Sequence, residues 1–512
     1  MLGVRRLALS SRQTWWALFA LFMLGCLAWT VATPLMATPD EGAHAVRAAG
    51  VARGQLLPER KRFVIEAWMQ RVPEAYGESG RAACFGRPLF ANEDHRKIVT
   101  PACVPQFHGS DRLETVPTYE FRGSPAYYWL TGLPSLVWPD RPGMFGMRIL
   151  NGLAFSALVA SAFASALARR RRSWAVAGVA VALTPMVWYL GATVNPNGTE
   201  IAAAITLWAT LLALAGDDSR ESDGRLVTRA GVAAVVLVSM RGLGPGFALM
   251  AVVAAALVAS RGRVRTVLAR RDARVWSVVV LLGVAVTIAW TFVVGLKLDQ
   301  PVHPTTGFVD AFQGLPVILR QSIGAMGTYF LPLPFLLYAL WVVLSVTGIA
   351  TGVATAATRG RIAIGLVALA TLALPITTDG YNIPDIGFPW QGRYGLPLTI
   401  GLVILSFWLV EAATRRRRAI GAGIVGATLV GQLVAFVAIG RKLGMGRVAG
   451  TNVVDYLVRP RWEPGFPPLL LLVGMVVAVI AIGALLVPAA LQDAEPQPEP
   501  AGEAPSPEPD LR

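Results

Sequence analysis

Residues 14–44 read TWWALFALFMLGCLAWTVATPLMATPDEGAH. Positions 14–36 are almost wholly apolar, and a helix of about 20 such residues spans the ~30 Å hydrocarbon core of a bilayer. Arg5, Arg6 and Arg12 precede the run. Short arginine-rich segments stay on the cytoplasmic side, so residues 1–13 are expected inside and residue 37 onward outside. A basic start followed by an apolar run also describes a signal peptide. This run lacks a small-x-small cleavage site and is read as a retained signal anchor.

The same pattern repeats along the chain. Of 512 residues, 54% are hydrophobic and 15% charged, whereas soluble proteins carry about 25% charged residues. Apolar runs fall near 14–36, 148–168, 174–190, 199–215, 226–240, 246–260, 276–296, 329–348, 361–376, 394–412, 420–439 and 467–488. Basic clusters lie at Arg169–Arg172, between Arg261 and Arg274, at Arg359 and Arg361, and at Arg415–Arg418. About 12 spans (10–14 allowing for ambiguity over 226–260) put every cluster inside. The net charge of +15 therefore reports topology, and no nucleic-acid partner is expected. Only four of the 46 basic residues are lysine, a bias that hints at a GC-rich bacterial genome. The expectation is an all-α polytopic protein of a bacterial plasma membrane with both termini cytoplasmic. Residues 14–490 form the membrane domain, and 491–512 an acidic, proline-rich, disordered tail.

Polar residues gather outside. The first outer loop, 37–147, is the one large soluble part, with smaller outer segments at 297–328, 377–393 and 440–466. His44, His95, His108 and His303 all map there. No phosphate-cradling P-loop motif is present, and no cytoplasmic domain is left to bind a nucleotide. Cys84 and Cys103 share the outer loop, where an oxidising environment favours a disulfide; Cys26 reads as a packing residue.

Thr38-Pro39-Asp40-Glu41-Gly42-Ala43-His44 is the sharpest local feature. Thr38 as N-cap, Pro39 at N1 and Glu41 at N3 make a capping box for a surface helix over about 39–53. That reading leaves Asp40 and His44 unexplained. They are i, i+4 neighbours, and a carboxylate beside an imidazole at the membrane boundary suits a general base for a hydroxyl nucleophile. The pair could also touch a divalent cation, but two ligands do not make a site and no metal ligand set is assigned. Ser124-Pro125-Ala126-Tyr127-Tyr128-Trp129-Leu130 reads as an interfacial aromatic helix cut short by Pro134. Arg148 opens the second span as a snorkelling cation. Asn197 and Glu200 suggest another capping box. In Trp390-Gln391-Gly392-Arg393-Tyr394-Gly395, Arg393 lies between donors at the outer boundary, and a guanidinium suits a lipid phosphate. Arg320 is a weaker phosphate candidate.

Four of these motifs resemble, in order, those of the DUF2142 membrane proteins. Pro39–His44 is similar to a PDEPAH-type motif, and Ser124–Tyr128 to a PPLYY segment. Asn195–Gly198 is similar to an SPDA-type turn, and Gln391–Pro397 to a QGRY-x-LP segment. Gly42, Ser124, Ala126 and Asn197 depart from those patterns. An acidic pair after the first span, followed by an aromatic helix before the second, also resembles the GT-C glycosyltransferases, which use polyprenyl-phosphate sugars on the outer face. That resemblance implies Asp40 as the catalytic acid of the first loop, with Glu41 its partner. It also implies a polyprenyl-phosphate donor held in the bilayer, and an envelope glycan, lipid or protein as acceptor. His44, Tyr127, Tyr128, Asn197, Gln391 and Tyr394 are the remaining expected substrate contacts; Arg148, Arg320 and Arg393 are the expected phosphate contacts. Two other readings stay open, a flippase of lipid-linked glycans and a non-catalytic assembly protein. Span centres nearly free of charge argue against proton-coupled transport.

Overall fold

The computed structural model describes residues 10–57, 59–62, 66–81, 84, 100–294, 304–326, 331–386, 390–410, 414–446 and 452–492. Arg5, Arg6, His95, His303 and all but the first two residues of the expected tail lie outside them.

Eight helices are long and apolar enough to cross a membrane: Ser11–Ala32, Arg141–Ala168, Pro196–Ala215, Arg271–Val294, Phe335–Thr355, Thr358–Tyr381, Arg415–Met445 and Pro468–Leu491. A ninth crossing is a pair, Ser173–Ala182 and Pro185–Gly191, bent by 67°. Pro185 makes the break, because it lacks an N–H and forces Thr184 into an extended conformation (ψ 161°). Helices Asp223–Met240, Gly244–Val258 and Leu396–Trp408 stand where three more spans were expected. The last two have only 15 and 13 residues. At about 1.5 Å per residue they fall short of the ~30 Å core. The first carries Asp223, Arg225 and Arg229. By length and apolarity, the twelve expected crossings are eight or nine among the described residues.

The long loop after the first span corrects the all-α expectation. Strands β1 (Glu59–Arg62), β2 (Glu66–Pro73) and β3 (Leu113–Thr118) form an antiparallel sheet in that order, with Trp68 opposite Thr118 and Gln70 opposite Val116. Within β3 only Val116 and Thr118 are buried, an alternation too short to stand out in a sequence. The sheet packs on the loop helix Glu41–Ala52, where Thr118 Oγ1 donates to the Ala43 carbonyl at 3.0 Å. Val46, Val72, Tyr76, Phe107, Val116 and Met147 form a small core between them, separate from that of the bundle. A disulfide joins Cys84 to Cys103. The aromatic helix Pro125–Gly132 is two-sided: Tyr127 and Tyr128 are buried, while Trp129 and Leu130 are exposed.

Candidate active site

The loop helix starts at Glu41, with Asp40 as its N-cap. Asp40 is left-handed (φ 59°, ψ 5°) and makes no side-chain cap hydrogen bond. Aspartate tolerates this conformation better than most residues, and here it turns the carboxylate out of the helix. One oxygen pairs with Arg393 and the other accepts from the Tyr119 hydroxyl at 2.9 Å. The expected capping box is absent. Thr38 Oγ1 is buried and has no hydrogen-bond partner among the described residues.

Glu41 turns the other way, so the expected Asp40–Glu41 partnership gives way to a structural ion pair. Both Glu41 oxygens bind Arg148 at 2.6 Å, and Oε1 also accepts from the Val194 amide at 3.0 Å. The second membrane helix begins at Arg141, seven residues before its expected start, so Arg148 is fully buried rather than snorkelling. Its remaining N–H groups donate to the carbonyls of Thr30, Thr33 and Pro34 at 2.7–2.8 Å. The last carbonyls of a helix lack intrahelical partners; Arg148 binds that of Thr30 in the last turn of the first span, that of the C-cap Thr33 and that of Pro34 beyond it. All five guanidinium N–H groups are then used. That rules out the expected phosphate contact for Arg148.

One turn along the loop helix, His44 is buried, with Nδ1 2.8 Å from the Tyr128 hydroxyl and 3.7 Å from Glu120 Oε2. Burial lowers the His44 pKa, and the nearby Glu120 and Asp40 carboxylates only partly oppose this. The sign follows: unfolded histidine takes up a proton below about pH 6.5 while native His44 resists it, so stability falls as pH drops through that value. Thermal melts from pH 8 to 5 should show this loss, and His44→Gln should flatten its slope.

On the far side, the 3-10 turn Gly392–Tyr394 carries Arg393. The Gly392 amide donates to Gln321 Oε1 at 2.8 Å, Ser322 Oγ donates to the Gly392 carbonyl at 3.0 Å, and the Trp390 amide donates to Asp379 at 2.8 Å. A Cβ on Gly392 would lie 2.3 Å from the Ile318 carbonyl oxygen, so only glycine permits this approach. Arg393 is buried, and its guanidinium lies 4.9 Å from the Tyr394 ring centre. Arg241 lies 4.3 Å from the same ring and donates to Asn197 Oδ1 at 2.5 Å. Tyr394 thus holds two cations near the buried Asn197 and Glu200. Asn197 is not the cap of its helix; Asn195 is, accepting from the Asn197 amide. The Glu200 oxygens, expected in a capping box, have no hydrogen-bond partner among the described residues.

The structure therefore gathers Asp40, His44, Tyr128, Asn197, Arg393 and Tyr394 at the loop end of the bundle, with Gln391 beside Arg393. It sets Tyr127 apart, with its hydroxyl donating to Asn151 at 3.2 Å. Arg320 is exposed over the Tyr338 ring, 5.7 Å from its centre. Sequence reading missed Tyr119 and Glu120, which follow β3 directly, and did not connect Arg241 to the site. The available signal for Arg241 was a lone cation between two apolar helices. Asp40, His44 and Glu120 offer ligand atoms that all lie within 4.8 Å of one another. Asp40 also lines a cleft of about 480 Å³ with Thr38, Trp68, Ser79 and Tyr119.

A family model described as "Predicted membrane protein (DUF2142)" matches residues 22–402. The chain belongs to the DUF2142 family. The match takes in the whole DUF2142 site, from Asp40 to Tyr394, and ends before the last two membrane helices. No curated protein matches by sequence. Among solved structures, the chain is similar to ArnT from Cupriavidus metallidurans in the apo state, at 16% identity and a TM-score of 0.42, covering 94% of this chain and 77% of that one. ArnT bound to undecaprenyl phosphate is similar at 14% identity and a TM-score of 0.42, covering 93% of this chain and 76% of that one.

Proposed function

We propose that this DUF2142 protein is a membrane glycosyltransferase that moves a sugar from a polyprenyl-phosphate donor to a hydroxyl of a cell-envelope glycan, lipid or protein. The reaction takes place on the extracytoplasmic face, with Asp40 as general base. The observation that carries this reading is the position of the Asp40 carboxylate, between the Arg393 guanidinium and a cleft. The donor phosphate is drawn to Arg393 and Arg241, two guanidiniums on one tyrosine ring. A phosphate that takes Arg393 loosens its hold on Asp40. The acceptor oxygen then attacks the anomeric carbon, and the bond from that carbon to the phosphate oxygen breaks. The phosphate leaves with the electron pair, and Asp40 takes the hydroxyl proton. The sparse charge at span centres supports transfer over proton-coupled transport; Glu200 is the fifth residue of its helix, nearer the end than the centre. Purified protein in liposomes tests the reading. An enzyme forms glycosylated product without a gradient, a flippase moves lipid without new bonds, and an assembly protein does neither.

Asp40, His44 and Glu120 form a donor set, two carboxylates and an imidazole, that fits a divalent cation. Such an ion would supply a Lewis acid beside the donor phosphate. Titration of the protein with Mn²⁺, followed by electron paramagnetic resonance, is expected to show one bound ion. Glu120→Gln should weaken its binding at least about tenfold. Equal binding by both proteins removes the cation from the scheme.

A further inference from the structure

The cleft beside Asp40 opens between the start of the loop helix, the 3-10 helix Glu74–Arg81 and the strands β2 and β3. Among the described residues no lysine or arginine lines it, so none of them offers a counter-charge to an anionic headgroup. Of its two acids, Glu41 is paired with Arg148, and Asp40 with Arg393 or with the ion it would share with His44 and Glu120, neither of which lines the cleft, so no carboxylate is left over for a cationic headgroup. What remains is neutral and hydroxyl-rich: Thr38, Ser79, Thr118 and Tyr119. Thr38 is only 2% exposed, and its hydroxyl has no protein partner among the described residues. A buried hydroxyl without a partner is costly, and native proteins leave few of them. A ligand in the cleft would supply the missing bond. Trp68 adds an aromatic face, its ring stacked on Phe121 at 4.2 Å between centroids. A fixed indole offers a platform for the C–H face of a sugar ring. The volume, about 480 Å³, lies in the range of small-molecule sites.

We propose that this cleft is the acceptor subsite and that it binds a neutral saccharide, so that the acceptor is a glycan hydroxyl. The inference rests on the transfer reading above. It assigns the two oxygens of Asp40 to different sides. Oδ2 faces Arg393 and the donor phosphate. Oδ1 faces Tyr119 and the cleft, where the acceptor hydroxyl joins or replaces the tyrosine.

Saturation-transfer NMR on the full chain in nanodiscs tests this, with no glycoside detergent present because a maltoside headgroup would compete for the cleft. The probes are methyl mannopyranoside, methyl galactopyranoside and methyl arabinofuranoside, with glycerol phosphate and an acetylated serine tripeptide as controls. At least one glycoside is expected to bind and the controls are not. Thr38→Val deletes a hydroxyl that holds no protein group, so it should fold with an unchanged or higher Tm while weakening the glycoside on the order of tenfold. Trp68→Ala should abolish binding. The proposal is overturned if no glycoside binds, if a control binds instead, or if Thr38→Val binds as wild type does. Undecaprenyl phosphate binding, measured in parallel with wild type and Arg393→Gln, keeps the two claims separate. A lipid phosphate that binds through Arg393 while every glycoside fails sinks the subsite alone. Glycosides that bind while the lipid phosphate does not leave the saccharide site standing and sink the donor.

Discussion

Asp40→Asn is expected to leave the protein folded and to lower sugar transfer about 10²- to 10⁴-fold, the usual contribution of a general base. Asparagine suits the position structurally. It accepts the left-handed backbone that Asp40 adopts (φ 59°), and its amide oxygen still accepts from Arg393 or Tyr119. It lacks the basicity and the negative charge; Asp40 is 17% exposed, so the lost charge is expected to cost less here than at the fully buried Glu41. Product formation from a radiolabelled polyprenyl-phosphate sugar, with yield and melting temperature measured alongside, checks this. Near-normal transfer by a well-folded Asn variant removes Asp40 from the chemistry. Alanine is a poorer test, because it removes every acceptor that the Asp40 side chain offers Arg393 and Tyr119 and tolerates the backbone less well.

The second large effect is on stability. Glu41→Gln and Arg148→Met each break a pair whose side chains are 1% and 0% exposed. Removing one partner strands a buried charge, and such losses run to about 3–5 kcal/mol. Arg148→Met also strips the donors from three main-chain carbonyls, so it is expected to be the worse of the two. Both variants should express poorly or melt well below wild type in a detergent thermal assay. The double variant Glu41→Leu/Arg148→Met leaves no lone charge and should recover part of the loss. If Glu41→Gln instead folds normally and only loses activity, Glu41 belongs to the chemistry after all.

These outcomes bear on how much the amino-acid pattern alone could reveal. The long apolar runs located the membrane helices well, because span length is set by the bilayer and not by tertiary contacts. The exceptions are the places where tertiary packing decides. Leu396–Trp408 is too short to cross by itself, and the break at Pro185 divides one run into two helices. In the outer loop, each strand of the sheet offers too few alternating positions to be read without its neighbours. At the site, Asp40, His44 and Arg393 could be picked out by chemistry and spacing. Glu120 and Arg241 could not be joined to them, since 80 and 201 positions separate them from Asp40 and only the fold brings them near. Glu41 shows the opposite failure. The motif resemblance implies it as the partner of Asp40, while the left-handed turn at Asp40 gives the two carboxylates different partners, Arg393 and Arg148.

The network around Arg148 has a mechanical consequence. It clamps the end of the first membrane helix, the Pro34 carbonyl and, through Glu41, the start of the loop helix and the Val194 amide to a single guanidinium. Asp40 sits one residue from this clamp and moves only if the clamp breaks. Arg393 is carried on a short turn whose hydrogen bonds include three to or from side chains. The two halves of the Asp40–Arg393 contact are therefore held differently: the carboxylate beside a buried ion pair, the guanidinium on a short turn. In the proposed reaction, a donor phosphate would therefore draw Arg393 away while Asp40 keeps its place beside the Glu41–Arg148 pair.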